Sequence, residues 1–137
     1  MFDFGSGKGG SLIMFLKAGF TKVGGVEFDR NLWNIAQDNF AKIDADASGI
    51  LCKDARMLKE ELDEYNFFYM YDPFEEKMFY EAIKRIEESY ERRKRKIFLI
   101  YTVPNCHDLV IKDGYFTLTK QVKTDFLHYR TANIYCI

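Results

Sequence analysis

Asp3-Phe4-Gly5-Ser6-Gly7-Lys8-Gly9-Gly10 decides the architecture of this chain. A short apolar strand start, residues 1–4, runs straight into a cluster of glycines, and an amphipathic stretch follows at once. Gly5, Gly7 and Gly10 satisfy G-x-G-x-x-G, in which glycines let backbone N–H groups approach a ligand at a helix N-terminus. Residues 11–18 carry Leu12, Phe15 and Leu16 at helical spacing, and Gly19 is placed to end that helix. Residues 22–28 read as the next strand, with Val23 and Val26 around Gly24-Gly25. Glu27 closes this strand about 20 residues beyond the first glycine, where a carboxylate can accept both hydroxyls of a ribose. Together these features predict a nucleoside site. The turn is not a P-loop, because Lys8 is followed by Gly9 instead of Ser or Thr.

Outward from this unit, short apolar runs continue to alternate with amphipathic stretches. Asp29 is placed to cap a helix whose apolar stripe is predicted as Leu32, Ile35, Ala36, Phe40 and Ile43. Residues 49–53 form a third strand and 54–64 a polar connection. Residues 66–71 are almost wholly apolar, as a strand covered on both faces should be. Residues 75–93 give the longest helix, with Phe79, Ala82, Ile83, Ile86 and Tyr90 on one face. Residues 97–103 are a fifth strand. Residues 115–123 then alternate, Phe116, Leu118 and Val122 against Thr117, Thr119 and Gln121, and residues 131–137 alternate again. With no long helix between them, these two pair as an antiparallel hairpin. The expected fold class is α/β, a single domain over residues 1–137 with a mostly parallel seven-stranded sheet and a C-terminal antiparallel β-hairpin. Ligands of such sheets bind beyond the carboxyl ends of the strands, near the topological switch point.

Composition supports a packed domain. Apolar residues make up 47% of the 137, enough for a core, which excludes a disordered chain. The balance of 20 basic against 21 acidic residues argues against nucleic acid as a partner, which needs a basic excess. No apolar run approaches the roughly 18 residues of a membrane span. Cys52, Cys106 and Cys136 are odd in number and widely spaced, which fits reduced thiols in the cytoplasm and neither a disulfide frame nor a metal site.

The four segments Asp3-Phe4-Gly5-Ser6-Gly7-Lys8-Gly9, Gly25-Val26-Glu27-Phe28, Lys53-Asp54-Ala55 and Tyr71-Asp72-Pro73-Phe74 resemble, in order and spacing, the class I S-adenosylmethionine-dependent methyltransferases. The closest likeness is to small bacterial members that pair D-x-G-S-G-K-G with a later [ND]-P-F. The resemblance covers nearly the whole chain and implies a three-layer Rossmann-like fold with S-adenosylmethionine as cofactor and an unidentified methyl acceptor. It implies that Gly5, Ser6 and Gly7 pass against the methionine part of the cofactor. Asp3 would support that turn or the cofactor's amino group, Glu27 with Phe28 would take the ribose end, and Asp54 with Ala55 would lie near the adenine amine. Asp72 would end strand four between methyl donor and acceptor, and Asp72, Pro73 and Phe74 are the expected catalytic segment. Amine-specific members carry [ND]-P-P-[YFW]; here the second proline is absent and Phe74 follows Pro73 directly.

A nicotinamide-dependent oxidoreductase shares the glycines and the ribose acid. Against it stand Asp3, where those domains prefer an apolar residue, and the closing hairpin. A non-catalytic methyltransferase-like fragment or subunit is the other alternative, because strand one begins at Met1 with no substrate cap ahead of it. A homo-oligomer or a further N-terminal segment would then complete the acceptor site. The basic run Arg92-Arg93-Lys94-Arg95-Lys96 reads as the solvated end of an acid-to-base helix. Asn105 and His107 follow strand five and are placed to line an acceptor pocket, whereas His128 reads as structural.

Overall fold

A computed structural model of the chain describes residues 1–71, 74–125 and 130–137, with only the backbone of Asp125. Seven strands form one sheet in the order β3-β2-β1-β4-β5-β7-β6. They are β1 (Phe2–Phe4), β2 (Gly24–Glu27), β3 (Ile50–Cys52), β4 (Phe67–Tyr71), β5 (Phe98–Thr102), β6 (Thr117–Asp125) and β7 (Arg130–Cys136). The first five are parallel, and β7 is antiparallel to both β5 and β6. The three-residue β1 lies at the centre of the five parallel strands, between β2 and β4. The chain leaves it towards β2 and β3 on one side and returns to β4 on the other, which creates a switch point beside the glycine turn.

Helices cover both faces. On one face α1 (Gly10–Lys17) and α2 (Arg30–Lys42) pack with Met1, Leu12, Ala36, Phe40 and Ile50. The other face carries α3 (Glu76–Arg92), the short α4 (His107–Ile111) and the larger core, which includes Phe2, Phe4, Phe68, Met70, Phe79 and Tyr101. Strand alternation explains how β1 serves both layers: Phe2 and Phe4 enter the larger core while Asp3 faces the α1–α2 side. Among the described residues no helix is long and apolar enough to cross a membrane.

Three local expectations are corrected. In α2, capped as expected by Asp29, the buried face turns by about one position. Ile35 and Ile43 are exposed, while Trp33, Ala36 and Phe40 face the sheet and the Trp33 indole donates to the Ile50 carbonyl at 2.8 Å. In β6, Leu118 and Val122 are exposed, because β7 lies between β6 and β5 and leaves β6 as an edge strand with a register shift at Leu118/Lys120. The polar connection 54–64 folds into two 3-10 turns, Ala55–Met57 and Glu60–Leu62, which bury Ala55, Leu58 and Leu62 against the larger core.

The basic run is also less solvated than expected. Arg95 is half-buried and donates to the carbonyls of Leu62, Tyr65 and Ser89, while Arg92 pairs with Asp63 at 2.8 Å. These bonds fix the end of α3 to the second 3-10 turn. His128 lies outside the described residues.

Candidate functional site

The site begins with the backbone of the turn. Gly5, Gly7 and Gly9 have φ of 81°, 53° and 78°, left-handed conformations that a Cβ disfavours. The N–H groups of Gly5 and Ser6 both donate to the Val26 carbonyl, at 2.9 and 3.0 Å, and Gly9 donates to the Ser6 carbonyl at 2.9 Å. Gly7 N–H goes to Glu27 Oε2 at 2.9 Å, and Glu27 Oε1 accepts Asp29 N–H at 2.8 Å. Glu27 therefore ties the turn after β1 to the start of α2, and each of its oxygens keeps a lone pair for a ligand hydroxyl. Because four N–H groups of the turn already have protein acceptors, those groups do not form a cradle for phosphate oxygens.

Beneath the turn lies Asp3, only 3% exposed, with its Oδ2 accepting a hydrogen bond from the Ser11 hydroxyl. Burial pushes its carboxyl up to about 6; the Ser11 bond pulls it back in part, and the Glu27 charge adds to the rise. Ser6 is buried as well, and its Oγ has no hydrogen-bond partner among the described residues. Its side chain lies over Gly25, where an added Cβ would meet the Ser6 Cβ at 2.8 Å. A buried carboxylate and an orphaned buried hydroxyl are costly unless a ligand uses them.

A cleft of about 360 Å³ opens beyond the carboxyl ends of β1, β2 and β4. Gly5, Glu27, Phe28, Asp54, Ala55 and Phe74 line it, so four separated segments converge there. Asp3, Ser6 and Gly7 lie in or beneath the turn and are not among the lining residues. Phe28 is 78% exposed, presenting an aromatic ring that no core contact explains. Asp54 caps the first 3-10 turn, and its carboxyl is held below the usual range chiefly by the Arg56 side chain. Tyr71, at the end of β4, also lines the cleft and accepts a 2.6 Å bond from the Arg130 guanidinium. Asp72 and Pro73 lie outside the described residues; of that segment Phe74 alone is placed, half-buried on the cleft wall.

Sequence reasoning missed Arg56 and Met78, both lining residues. Met78 lies in the first turn of α3, and Phe74 lies two residues ahead of that helix. Arg56 follows Asp54 by two, the spacing of an Asx turn. His107 is directed away from any acceptor role in this cleft: its Nδ1 meets the Tyr135 hydroxyl at 2.8 Å and the two rings stack.

No family model matches the chain, and no curated protein matches it. Solved structures do. A ribosomal protein L11 methylase from Lactobacillus delbrueckii subsp. bulgaricus superposes with a TM-score of 0.72 at 11% identity, over 98% of this chain and 67% of its own. A SAM-dependent methyltransferase from Aquifex aeolicus gives 0.71 at 17% identity, over 99% and 80%. Magnesium protoporphyrin IX methyltransferase from Synechocystis PCC 6803, with bound SAM, gives 0.66 at 19% identity, over 98% and 67%. At such identities the likeness establishes the fold. This chain has the Rossmann-like α/β fold of the S-adenosylmethionine-dependent methyltransferases, antiparallel C-terminal strand pair included.

Proposed function

We propose that the chain is an S-adenosylmethionine-dependent methyltransferase whose cofactor occupies the cleft above β1, β2 and β4. The observation that carries this reading is the pair of carboxylates, Asp3 beneath the glycine turn and Glu27 beside it, with four of the turn's N–H groups already bonded within the protein. Asp3 beneath the turn repels a diphosphate, and the four bonded N–H groups leave no cradle for one, which disfavours a nicotinamide dinucleotide. The arrangement suits a nucleoside joined to a cationic amino acid. The residues fit such a group: Glu27 has lone pairs for ribose hydroxyls, Ser6 Oγ is free to bond, and Asp3 sits under the turn as a counter-charge. Phe28 and Ala55 offer apolar surface for a base.

When bound, S-adenosylmethionine supplies an electrophilic methyl carbon on a sulfonium. The chain's own contribution is alignment and exclusion of water, since direct transfer depends mainly on bringing acceptor and donor into line. Tyr71, Phe74 and Met78 form the wall left for the acceptor, and the rings of Tyr71 and Phe74 offer π faces to a neighbouring cation. The specific D-x-G-S-G-K-G and D-P-F motifs belong to this proposal, as do Asp72, Pro73 and Phe74 as the segment nearest the transfer.

The activity is tested with S-adenosylmethionine labelled on its methyl group, incubated with the protein and fractionated cell extract. Label should appear in a discrete acceptor fraction and be lost with Glu27→Ala. Protein that binds the cofactor yet labels no fraction would contradict transfer and favour a non-catalytic subunit.

A further inference from the structure

The turn and the ribose acid leave one arrangement in the cleft unexplained. Asp54 accepts from Arg56 on both oxygens: the backbone N–H and Nε reach Oδ1 at 2.9 and 3.0 Å, and Nε and Nη2 reach Oδ2 at 3.1 and 2.6 Å. Three N–H groups of Arg56, with Nε shared between the two oxygens, thus cover both sides of the carboxylate. The base-end acid of the cleft therefore meets a ligand N–H only in competition with the Arg56 guanidinium. The same guanidinium lies 3.8 Å from Glu81 on α3, a second carboxylate within reach.

The pair does not serve mainly as a structural staple. The Arg56 and Asp54 side chains are 44% and 22% exposed and both line the cleft, and exposed ion pairs add little to stability. The cations that do fasten this layer are Arg92 and Arg95, at the far end of α3, while the neighbouring Lys53 is engaged by Glu61.

We propose that Arg56 is a specificity-determining residue, an exchangeable plug on Asp54. A ligand base bearing an exocyclic amine displaces the guanidinium, which moves to Glu81, and the amine takes the acceptor so released. A base with a carbonyl at that position gains nothing from the exchange, because two acceptors would face each other. The inference rests on reading the cleft as a nucleoside site.

The test is calorimetry of the wild type, Arg56→Ala and Glu81→Gln with two ligands. One is S-adenosylhomocysteine, whose zwitterion carries no net charge, so a change in protein charge has little direct effect. The other is S-inosylhomocysteine, which has a carbonyl in place of the amine. Arg56→Ala should bind S-adenosylhomocysteine about fivefold tighter than wild type, the equilibrium equivalent of one exposed ion pair released. Its affinity for the inosyl compound should not rise, because the carbonyl would then face the bared carboxylate. Glu81→Gln, which removes the landing site, should weaken S-adenosylhomocysteine about two- to threefold. Arg56 is exposed, so the variant should melt near the wild type and remain testable. Weaker adenosyl binding in Arg56→Ala, or an equal change for both ligands, overturns the plug while leaving the nucleoside site intact. If none of the folded proteins binds S-adenosylhomocysteine, the nucleoside reading itself fails.

Discussion

Replacing Asp3 by asparagine isolates the energetic cost of the buried carboxylate under the glycine turn. In the folded chain its carboxyl rises from 3.8 to about 6, mainly through burial. The native state therefore holds a proton that the unfolded state has released between these values. Stability is greatest below about pH 4 as far as this group is concerned, and falls as pH rises through 6. By pH 8 the loss amounts to about 3 kcal/mol at roughly 1.4 kcal/mol per tenfold change in proton affinity. The asparagine amide would keep a carbonyl oxygen for the Ser11 hydroxyl and remove the charge. Urea unfolding of Asp3→Asn should thus show a gain over wild type of up to about 3 kcal/mol at pH 8 and almost none at pH 4. Binding of S-adenosylmethionine should move the opposite way, weakening about tenfold or more as its ammonium loses a counter-charge. A gain of the same size at both pH values would refute the reasoning, since an uncharged packing effect does not follow the titration. So would a variant that is less stable at pH 8.

Three further outcomes follow from the same geometry. Glu27→Ala removes the acceptor for both Gly7 and Asp29 N–H, so S-adenosylhomocysteine affinity should fall at least about 30-fold, read by calorimetry. Gly25→Ala places a Cβ 2.8 Å from the Ser6 Cβ and 2.9 Å from the Asp3 carbonyl oxygen, and should cost about 1–3 kcal/mol in urea unfolding and displace the turn. Asp44 follows the end of α2 with φ of 53° and sets an acid at the negative end of the helix dipole. Asp44→Gly should therefore stabilise by about 0.5–1 kcal/mol, a rise of a few degrees in Tm by calorimetric scan, with ligand affinity unchanged.

The parts of the fold set by local chemistry are legible in the sequence. The glycine cluster after residue 4 announces a tight strand-to-helix turn, Asp29 is a helix cap by residue type, and the continuous run Phe67-Phe68-Tyr69-Met70 suits a strand covered on both sides. What escaped reading depends on partners far along the chain. Trp33 packs inward against the smaller core, where its indole N–H finds the Ile50 carbonyl 17 residues further on. The hairpin pairs β6 with β7 by proximity, yet nothing local says that the later strand lies against β5 and leaves Leu118 and Val122 on the edge. Arg95 looks like its basic neighbours until the carbonyls of Leu62 and Tyr65 are brought to it from 30 residues or more away. The place of Glu27 beside the glycine turn was legible by its distance from the glycines. Arg56 was not, because its approach to Glu81 arises only once the first 3-10 turn packs against α3.

Calorimetric titration of the folded chain with S-adenosylhomocysteine, alongside NADH, tests the central claim most directly. Saturable one-to-one binding of S-adenosylhomocysteine, with no measurable heat from NADH, is the predicted result. Preferential binding of NADH, or no binding of S-adenosylhomocysteine by protein whose circular dichroism shows it folded, would contradict it.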